Sequence, residues 1–341
     1  MSFDRNAREG LSTVSEIVAS GYAYPSEVVD NAAYFERCRF PIDDRETLAA
    51  ESGFRSRRWC SEGENTWTLA REAVRRALAQ DPLLRDELDL VLVSSGTTFP
   101  VIHPPEPSNP GMADLAPLVL RELGRTGALG LDLKACYCTG FLRGLQVADG
   151  LLQNANYRAA LVVSTEQGSR LAVAETNRTQ FAFLAGDAAG AVVLRKRPRA
   201  GAKGIVDYWG QTEGDKLEWI GVGADGRSFI NLGSRAGRAA QELLIAGPRH
   251  LLARNGLTPR DVRWLLPLQT HARLVEGLRQ ATEFPREKLL WFGDVNGMSG
   301  SASIPSCLAE QREKGVVRKG DLVLATAVGA GLNAAAALFY A

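Results

Sequence analysis

Residues 131–153 read LDLKACYCTGFLRGLQVADGLLQ. The first residues alternate as a buried strand does. From Thr139 onward Phe141, Leu145, Ala148 and Leu152 recur at helical spacing, so the chain is expected to pass from strand to helix at Cys138. A thiol at such a junction meets unpaired amide N–H groups and the positive end of the helix dipole, and both favour thiolate over thiol. Cys138 is therefore the candidate nucleophile.

Working outward, the same two periodicities alternate along the chain. Thr13 to Ala23 reads as a strand, about Glu27 to Cys38 as a short helical stretch, and Thr66 to Ala79 as an amphipathic helix with arginines opposite its apolar face. Leu88 to Ser95, LDLVLVSS, and Ala160 to Thr165, ALVVST, are nearly continuous apolar runs, the mark of strands buried on both faces in a parallel sheet. Between them, Pro117 to Leu123 reads as a helix, and Ala189 to Leu194 as the strand that ends the first half. The second half repeats the order: strand Gly204 to Trp209, helix about Arg235 to Asn255, strand Val262 to Leu266, helix His271 to Thr282, and strands Leu322 to Thr326 and Ala334 to Tyr340. LDLVLVSS matches VRWLLPLQ weakly, and RAALVVST matches DLVLATAV, so a duplicated α/β lobe is the economical reading. The stretch 97–110, TTFPVIHPPEPSNP, holds five prolines in fourteen residues and must be loop. It is read either as a surface connection or as a wall of a substrate pocket or partner contact.

Composition bounds the function. The chain has 341 residues, 45% hydrophobic and 23% charged, which is ordinary for a globular enzyme of two lobes. Its formal charge of +1 argues against a nucleic-acid footprint or stable attachment to anionic membranes. The start, MSFDRNAREG, carries charge where a signal peptide needs an apolar run, and the apolar C-terminal stretch is too short and interrupted to span a bilayer, so a cytoplasmic protein is expected. Five cysteines, Cys38, Cys60, Cys136, Cys138 and Cys307, form no disulfide framework, and no His or Cys pair complements Cys136 and Cys138 at zinc-ligand spacing. Neither a metal nor another cofactor is expected.

Cys-Thr-Gly-Phe at 138–141, with Gly144-Leu145 and Ala148-Asp149 behind it, resembles the nucleophile elbow of the ketoacyl synthase III branch of the thiolase-fold enzymes. ESGFRSRR at 51–58, FLAGDAAGAVVL at 183–194, Ser303-Ile304-Pro305 and VGAGL at 328–332 are similar to that family's other signatures and stand in its order, from about Val14 to Ala341. The resemblance implies a thiolase-like αβαβα five-layered α/β fold from two duplicated lobes, 1–197 and 198–341, and a dimer, either of this chain or with an active homologue. It implies an oxyanion site at the N–H groups of Cys138 and of Ala330, in the turn after Gly329. Gly186-Asp187 reads as a structural turn entering a strand.

Two departures set the functional expectation. Where the family has Pro-His-Gln-Ala-Asn-Leu-Arg, this chain has Pro267-Leu268-Gln269-Thr270-His271-Ala272-Arg273, so Leu268 stands in place of the histidine that serves malonyl decarboxylation. Met298 likewise stands in place of the family's asparagine. Leucine and methionine neither stabilise an enolate nor take a proton. His271 and Asn296, displaced by three and two residues, are the candidates to replace them. Thr47 and Glu51 occupy the positions where family members that use coenzyme A carry Trp and Arg, so an acyl-carrier-protein donor is expected rather than acyl-CoA. Arg273 matches a basic residue of the family's carrier-docking face, with Arg249, Arg254, Arg260 and Arg279 as possible surroundings.

The expected function is acyl transfer from an acyl-carrier-protein thioester through a Cys138 thioester to a small-molecule acceptor that brings its own nucleophile, in a specialised pathway, with His271 as general base. Two alternatives stay open: a carbon–carbon condensing 3-oxoacyl synthase with relocated His271 and Asn296, and a non-catalytic subunit of a heteromeric synthase.

Overall fold

The computed structural model describes residues 10–341 apart from 39–41, 43, 98–113, 134–136, 173–179, 223–227 and 232. The proline-dense stretch from residue 98 on, His103 and Cys136 lie outside the described residues. The first half runs β1 (Thr13–Ala23), β2 (Glu27–Asp30), α1 (Asn31–Arg37), α2 (Arg45–Ser52), β3 (Ser56–Trp59), α3 (Thr66–Leu78), α4 (Leu84–Glu87), β4 (Leu88–Ser94), α5 (Ala116–Leu123), β5 (Leu129–Leu133), α6 (Gly140–Leu152), β6 (Ala159–Gln167), α7 (Gln180–Leu184) and β7 (Asp187–Pro198). The second runs β8 (Ile205–Thr212), β9 (Ile220–Val222), β10 (Ser228–Ile230), α8 (Gly233–Arg254), β11 (Trp264–Pro267), α9 (Ala272–Ala281), α10 (Gly293–Asn296), α11 (Ser303–Glu313), β12 (Leu322–Gly329) and β13 (Asn333–Tyr340).

Two sheets carry the architecture. The first has the order β1-β7-β6-β4-β5 and the second β11-β12-β13-β8. In the first, β4 and β6 are parallel while β7 runs antiparallel to both β6 and β1. The second repeats this, with β11 parallel to β12 and β13 antiparallel to both β12 and β8. The duplication suspected from weak sequence similarity is therefore plain in the topology, where β4 corresponds to β11 and β6 to β12.

Five layers follow from where the apolar faces go. Helices α3 and α5 cover the outer face of the first sheet, α8 covers that of the second, and α6 and α11 are held between the sheets. The helix α3 shows why: Leu69, Ala70, Ala73, Val74 and Ala77 are buried on one face, and Arg71 and Arg75 stand exposed on the other. Its start is fixed by a reciprocal cap in which Asn65 accepts from the N–H groups of Trp67 and Thr68, and Thr68 Oγ1 accepts from the Asn65 N–H at 2.8 Å. The helix α11 belongs to the second half of the chain but packs on β1 and β7 of the first sheet. Its closeness there requires Gly190, since a Cβ at that position would stand 2.4 Å from the Ser306 nitrogen.

Glu27–Asp30, expected in a helix, is strand β2 paired with β3, and only Asn31–Arg37 is helical. The side chain of Asp30 caps that helix by accepting from the Ala33 N–H, so the helix cannot start earlier. No disulfide joins Cys38, Cys60, Cys138 and Cys307. Among the described residues no helix is long and apolar enough to cross a membrane.

Candidate active site

Cys138 sits in the middle of a 3-10 turn, Tyr137–Thr139, that runs directly into α6. The residue before it, Tyr137, has φ of +38°, a left-handed conformation that a bulky side chain rarely adopts. The turn is held where it is by packing against β12, the start of β13 and the turn Gly300–Ala302. Gly96 leaves room for the Tyr137 ring, where any Cβ would approach it to 2.7 Å. The nucleophile is thus presented on a sharp elbow between the two sheets, with Cys138 itself 8% exposed.

That burial acts against the helix terminus. Desolvation pushes the Cys138 thiol up to about 12, the neighbouring Glu166 carboxylate adds to the rise, and the local backbone N–H opposes it only weakly. Burial thus works against the thiolate that the helix terminus favours.

Leu268 follows β11, its N–H donating to Thr326 O at 2.8 Å, and it is 3% exposed. Met298 bridges to Ala185, its N–H donating to Leu184 O at 2.7 Å while its carbonyl accepts from the Gly186 N–H, and it is 5% exposed. Both side chains join Cys138 in one buried apolar cluster between the sheets. The positions where the family carries a histidine and an asparagine thus hold buried hydrocarbon and a buried thioether. Gly329 ends β12, and Ala330 lies in the turn 330–332 that leads to β13, the region against which the Cys138 turn packs.

His271 and Asn296 are placed differently. His271 is the N-cap of α9: its Nδ1 accepts the Arg273 N–H at 3.2 Å, so the neutral ring carries its proton on Nε2. The ring is half-buried beside Glu51 and Arg273, and burial lowers its pKa. Asn296 ends α10 and lines a small polar cavity with Tyr24, Ser299, Ser303, Ser306 and Cys307, of which Cys138 is not a wall. Arg273 is 78% exposed with Glu51 at 3.8 Å. Of its possible companions, Arg254 is tied to Asp207 by two 2.8 Å bonds, Arg279 to Glu276, and Arg249 to the Ala281 carbonyl.

Asp187 is fully buried and accepts from the N–H groups of Cys60 and Ser169, both at 2.7 Å, and from Ser169 Oγ at 2.6 Å, the role of a clamp. The carboxylate that sequence reading passed over is Glu166, at the end of β6, whose oxygens bind Gly96, Thr97 and Ser301 beside the Cys138 turn. A glutamate at a strand end reads as a solvated edge, and only the fold reveals that this one faces inward.

Known proteins can now be set beside this geometry. Residues 131–214 match the sequence model for 3-oxoacyl-[acyl-carrier-protein] synthase III, and residues 252–341 match the model for that protein's C-terminal part. A β-ketoacyl-[acyl-carrier-protein] synthase III from Rhodospirillum centenum is 31% identical over 335 residues, covering 95% of this chain and 98% of its own length. The crystal structure of 3-oxoacyl-[acyl-carrier-protein] synthase III from Aquifex aeolicus superposes with a TM-score of 0.84 at 27% identity, covering 96% of this chain and all of that one. The priming β-ketosynthase of the R1128 polyketide pathway superposes with a TM-score of 0.83, also at 27% identity, over 96% of each chain. With its two signature regions, its five-layered thiolase fold and near-full-length relatives, the chain belongs to the β-ketoacyl-[acyl-carrier-protein] synthase III family.

Proposed function

We propose that this member of the family is an acyltransferase of specialised metabolism, one that takes an acyl group from an acyl-carrier-protein thioester onto Cys138 and hands it to an acceptor carrying its own nucleophile. The observation that supports this reading above all others is that buried apolar side chains, Leu268 and Met298, occupy the two positions where the family carries a histidine and an asparagine. Neither side chain can hydrogen-bond a malonyl thioester carbonyl or steady the enolate left by loss of carbon dioxide. An acyl chain, by contrast, is at home against both.

In the first half-reaction the Cys138 sulfur attacks the thioester carbonyl, the N–H groups of Cys138 and Ala330 take the developing oxyanion, and the carrier thiol leaves with a proton. In the second, an amine, hydroxyl or preformed β-ketoacid attacks the Cys138 thioester and the sulfur is released. With its resting thiol held up at about 12, Cys138 must lose its proton as the carbonyl is attacked rather than beforehand. His271, with Nδ1 engaged in the α9 cap, offers Nε2–H to an incoming group and becomes a base only on releasing the Arg273 N–H. Arg273, two residues on, offers the carrier an exposed cation.

Incubation with acyl-carrier-protein thioesters followed by intact-protein mass measurement tests the reading. A gain of one acyl group, absent in Cys138→Ala and formed without carbon dioxide release from malonyl-carrier protein, is expected. An adduct that survives Cys138→Ala, or release of carbon dioxide at a rate matching acylation, overturns it.

A further inference from the structure

Glu166 is 3% exposed. Both of its oxygens lie 3.0 Å from the Gly96 nitrogen, Thr97 Oγ1 donates to one at 2.8 Å, Ser301 Oγ donates to the other at 2.6 Å, and Ser95 Oγ reaches the first at 3.4 Å. Among the described residues no lysine or arginine forms an ion pair with it. Burying a carboxylate with neutral donors alone carries a penalty of about several kcal/mol before its hydrogen bonds are counted. A group that expensive is retained for what it holds.

All its side-chain donors come from two segments, 95–97 running out of β4 and Ser301 just before α11. The same two segments enclose the nucleophile elbow. Gly96 lies under the Tyr137 ring, and Gly140, the first residue of α6, lies against Ser94 and Ser301, to which a Cβ would approach within 2.8 and 3.1 Å. A left-handed tyrosine stores about 1–3 kcal/mol of strain and persists only where its surroundings fix it.

We propose that Glu166 is a positioning residue for the nucleophile: by gathering the donors of 95–97 and 301 it fixes the two walls that grip the Tyr137–Cys138 elbow, with its carboxylate facing the sulfur. The inference rests on Cys138 being the acylated residue. Among the described residues, Glu166 and Tyr137 are the ionisable groups that face the sulfur. The neighbouring strand β12 and the turn 300–302 contribute no charged side chain, and Arg143 of α6 is turned to the Ala334 carbonyl and Gln146.

The test compares wild type with Glu166→Gln by following the pH dependence of iodoacetamide alkylation at Cys138, resolved by peptide mass, alongside acyl transfer from carrier-protein thioester. Removing the charge lowers the alkylation midpoint by about one unit, so alkylation near neutral pH rises about tenfold, while acyl transfer falls by about tenfold as the elbow loosens. These opposite movements are not produced by a purely structural carboxylate. An unchanged midpoint in a folded Glu166→Gln protein overturns the proposal. Ser301→Ala keeps the charge and removes the 2.6 Å donor; it leaves the midpoint in place and lowers the transfer rate several-fold with KM unchanged, and wild-type transfer in this variant overturns the clamp even where Glu166→Gln does not fold. Failure of the acyl-transfer reading itself would show separately, as a wild-type protein that alkylates at Cys138 but forms no acyl adduct.

Discussion

The backbone N–H of Arg273 donates to Nδ1 of His271 at 3.2 Å, which makes a histidine the N-cap of α9. Protonation of the ring removes that lone pair and with it the cap. Burial is the main cause of the ring's lowered pKa, opposed by Glu51 and reinforced by Arg273. The folded value lies below the unfolded one of about 6.5, so the cap's contribution is complete above about pH 6.5 and is lost as pH falls through the folded value. His271→Ala is expected to lose about 0.5–1 kcal/mol at pH 7.5 and progressively less on acidification, whereas His271→Asp retains a cap down to about pH 5. Urea unfolding at several pH values checks both, and a pH-independent penalty for His271→Ala would show that the ring does not cap.

Asp187 titrates in the opposite sense. Desolvation raises it to about 6, although the Ser169 and Cys60 donors pull the other way. A carboxyl whose folded pKa exceeds its unfolded value of about 3.9 contributes most below that value and loses its contribution as pH rises through about 6. The stability of wild type relative to Asp187→Asn is therefore expected to fall by about 2–3 kcal/mol between pH 4 and pH 7.5. Denaturant titrations of the two proteins across that range measure it. A difference that grows with pH would mean that the three donors outweigh burial.

How far the sequence discloses this molecule depends on which force sets each element. β4 and β6 were legible because strands buried on both faces need unbroken apolar runs, and α3 because one wet and one dry face impose a helical period. The central helix α11 carries no such signal. SIPSCLAEQRE is buried nearly all round between two sheets, so its serines and Pro305 break the apolar period that marks a helix while the fold makes them core. Strand β2 was mistaken for helix because EVVD is too short to show a period and gains its state from pairing with β3. In the site, the expectation for Cys138 comes from periodicity and those for Leu268 and Met298 from register with a family, whereas Glu166 and the left-handed Tyr137 depend on contacts between residues far apart in the chain. That His271 also caps α9 follows from a local backbone geometry that spacing alone does not specify.

Arg57 offers a stability test remote from the chemistry. It is fully buried, its guanidinium lying 4.9 Å from the Tyr34 ring centre and 4.5 Å from that of Phe183, with Nη1 donating to Val29 O and Nη2 to Asn31 Oδ1. A lysine has neither the planar group to lie over this edge-to-face ring pair nor the second donor direction. Arg57→Lys is expected to destabilise by about 2–4 kcal/mol, because it leaves a charge buried with fewer partners. Arg55→Lys, at a 73% exposed side chain paired with Asp294, is expected to change stability by less than about 1 kcal/mol. Equal effects in urea melts would deny the cation–aromatic contacts their role.

Restoring the missing polar pair gives the sharpest test of what the apolar substitutions mean. The main chain of Leu268 is anchored to Thr326 and that of Met298 to Leu184 and Gly186, so neither position depends on its side chain for placement. Leu268→His with Met298→Asn should therefore deliver an imidazole and an amide into the cluster that holds Cys138, at a stability cost of about 1–3 kcal/mol for each polar group buried without full compensation. The double variant is expected to release carbon dioxide from malonyl-carrier protein at least about tenfold faster than wild type, the two groups together supplying hydrogen bonds worth more than about 1.4 kcal/mol to the developing enolate. Either single variant should gain far less, because one donor leaves the enolate oxygen half satisfied while still disrupting the apolar wall. A folded double variant that acylates Cys138 normally yet releases no carbon dioxide would place the block elsewhere, in the entry of malonyl rather than in its activation, and would remove the main support for an acceptor that supplies its own nucleophile.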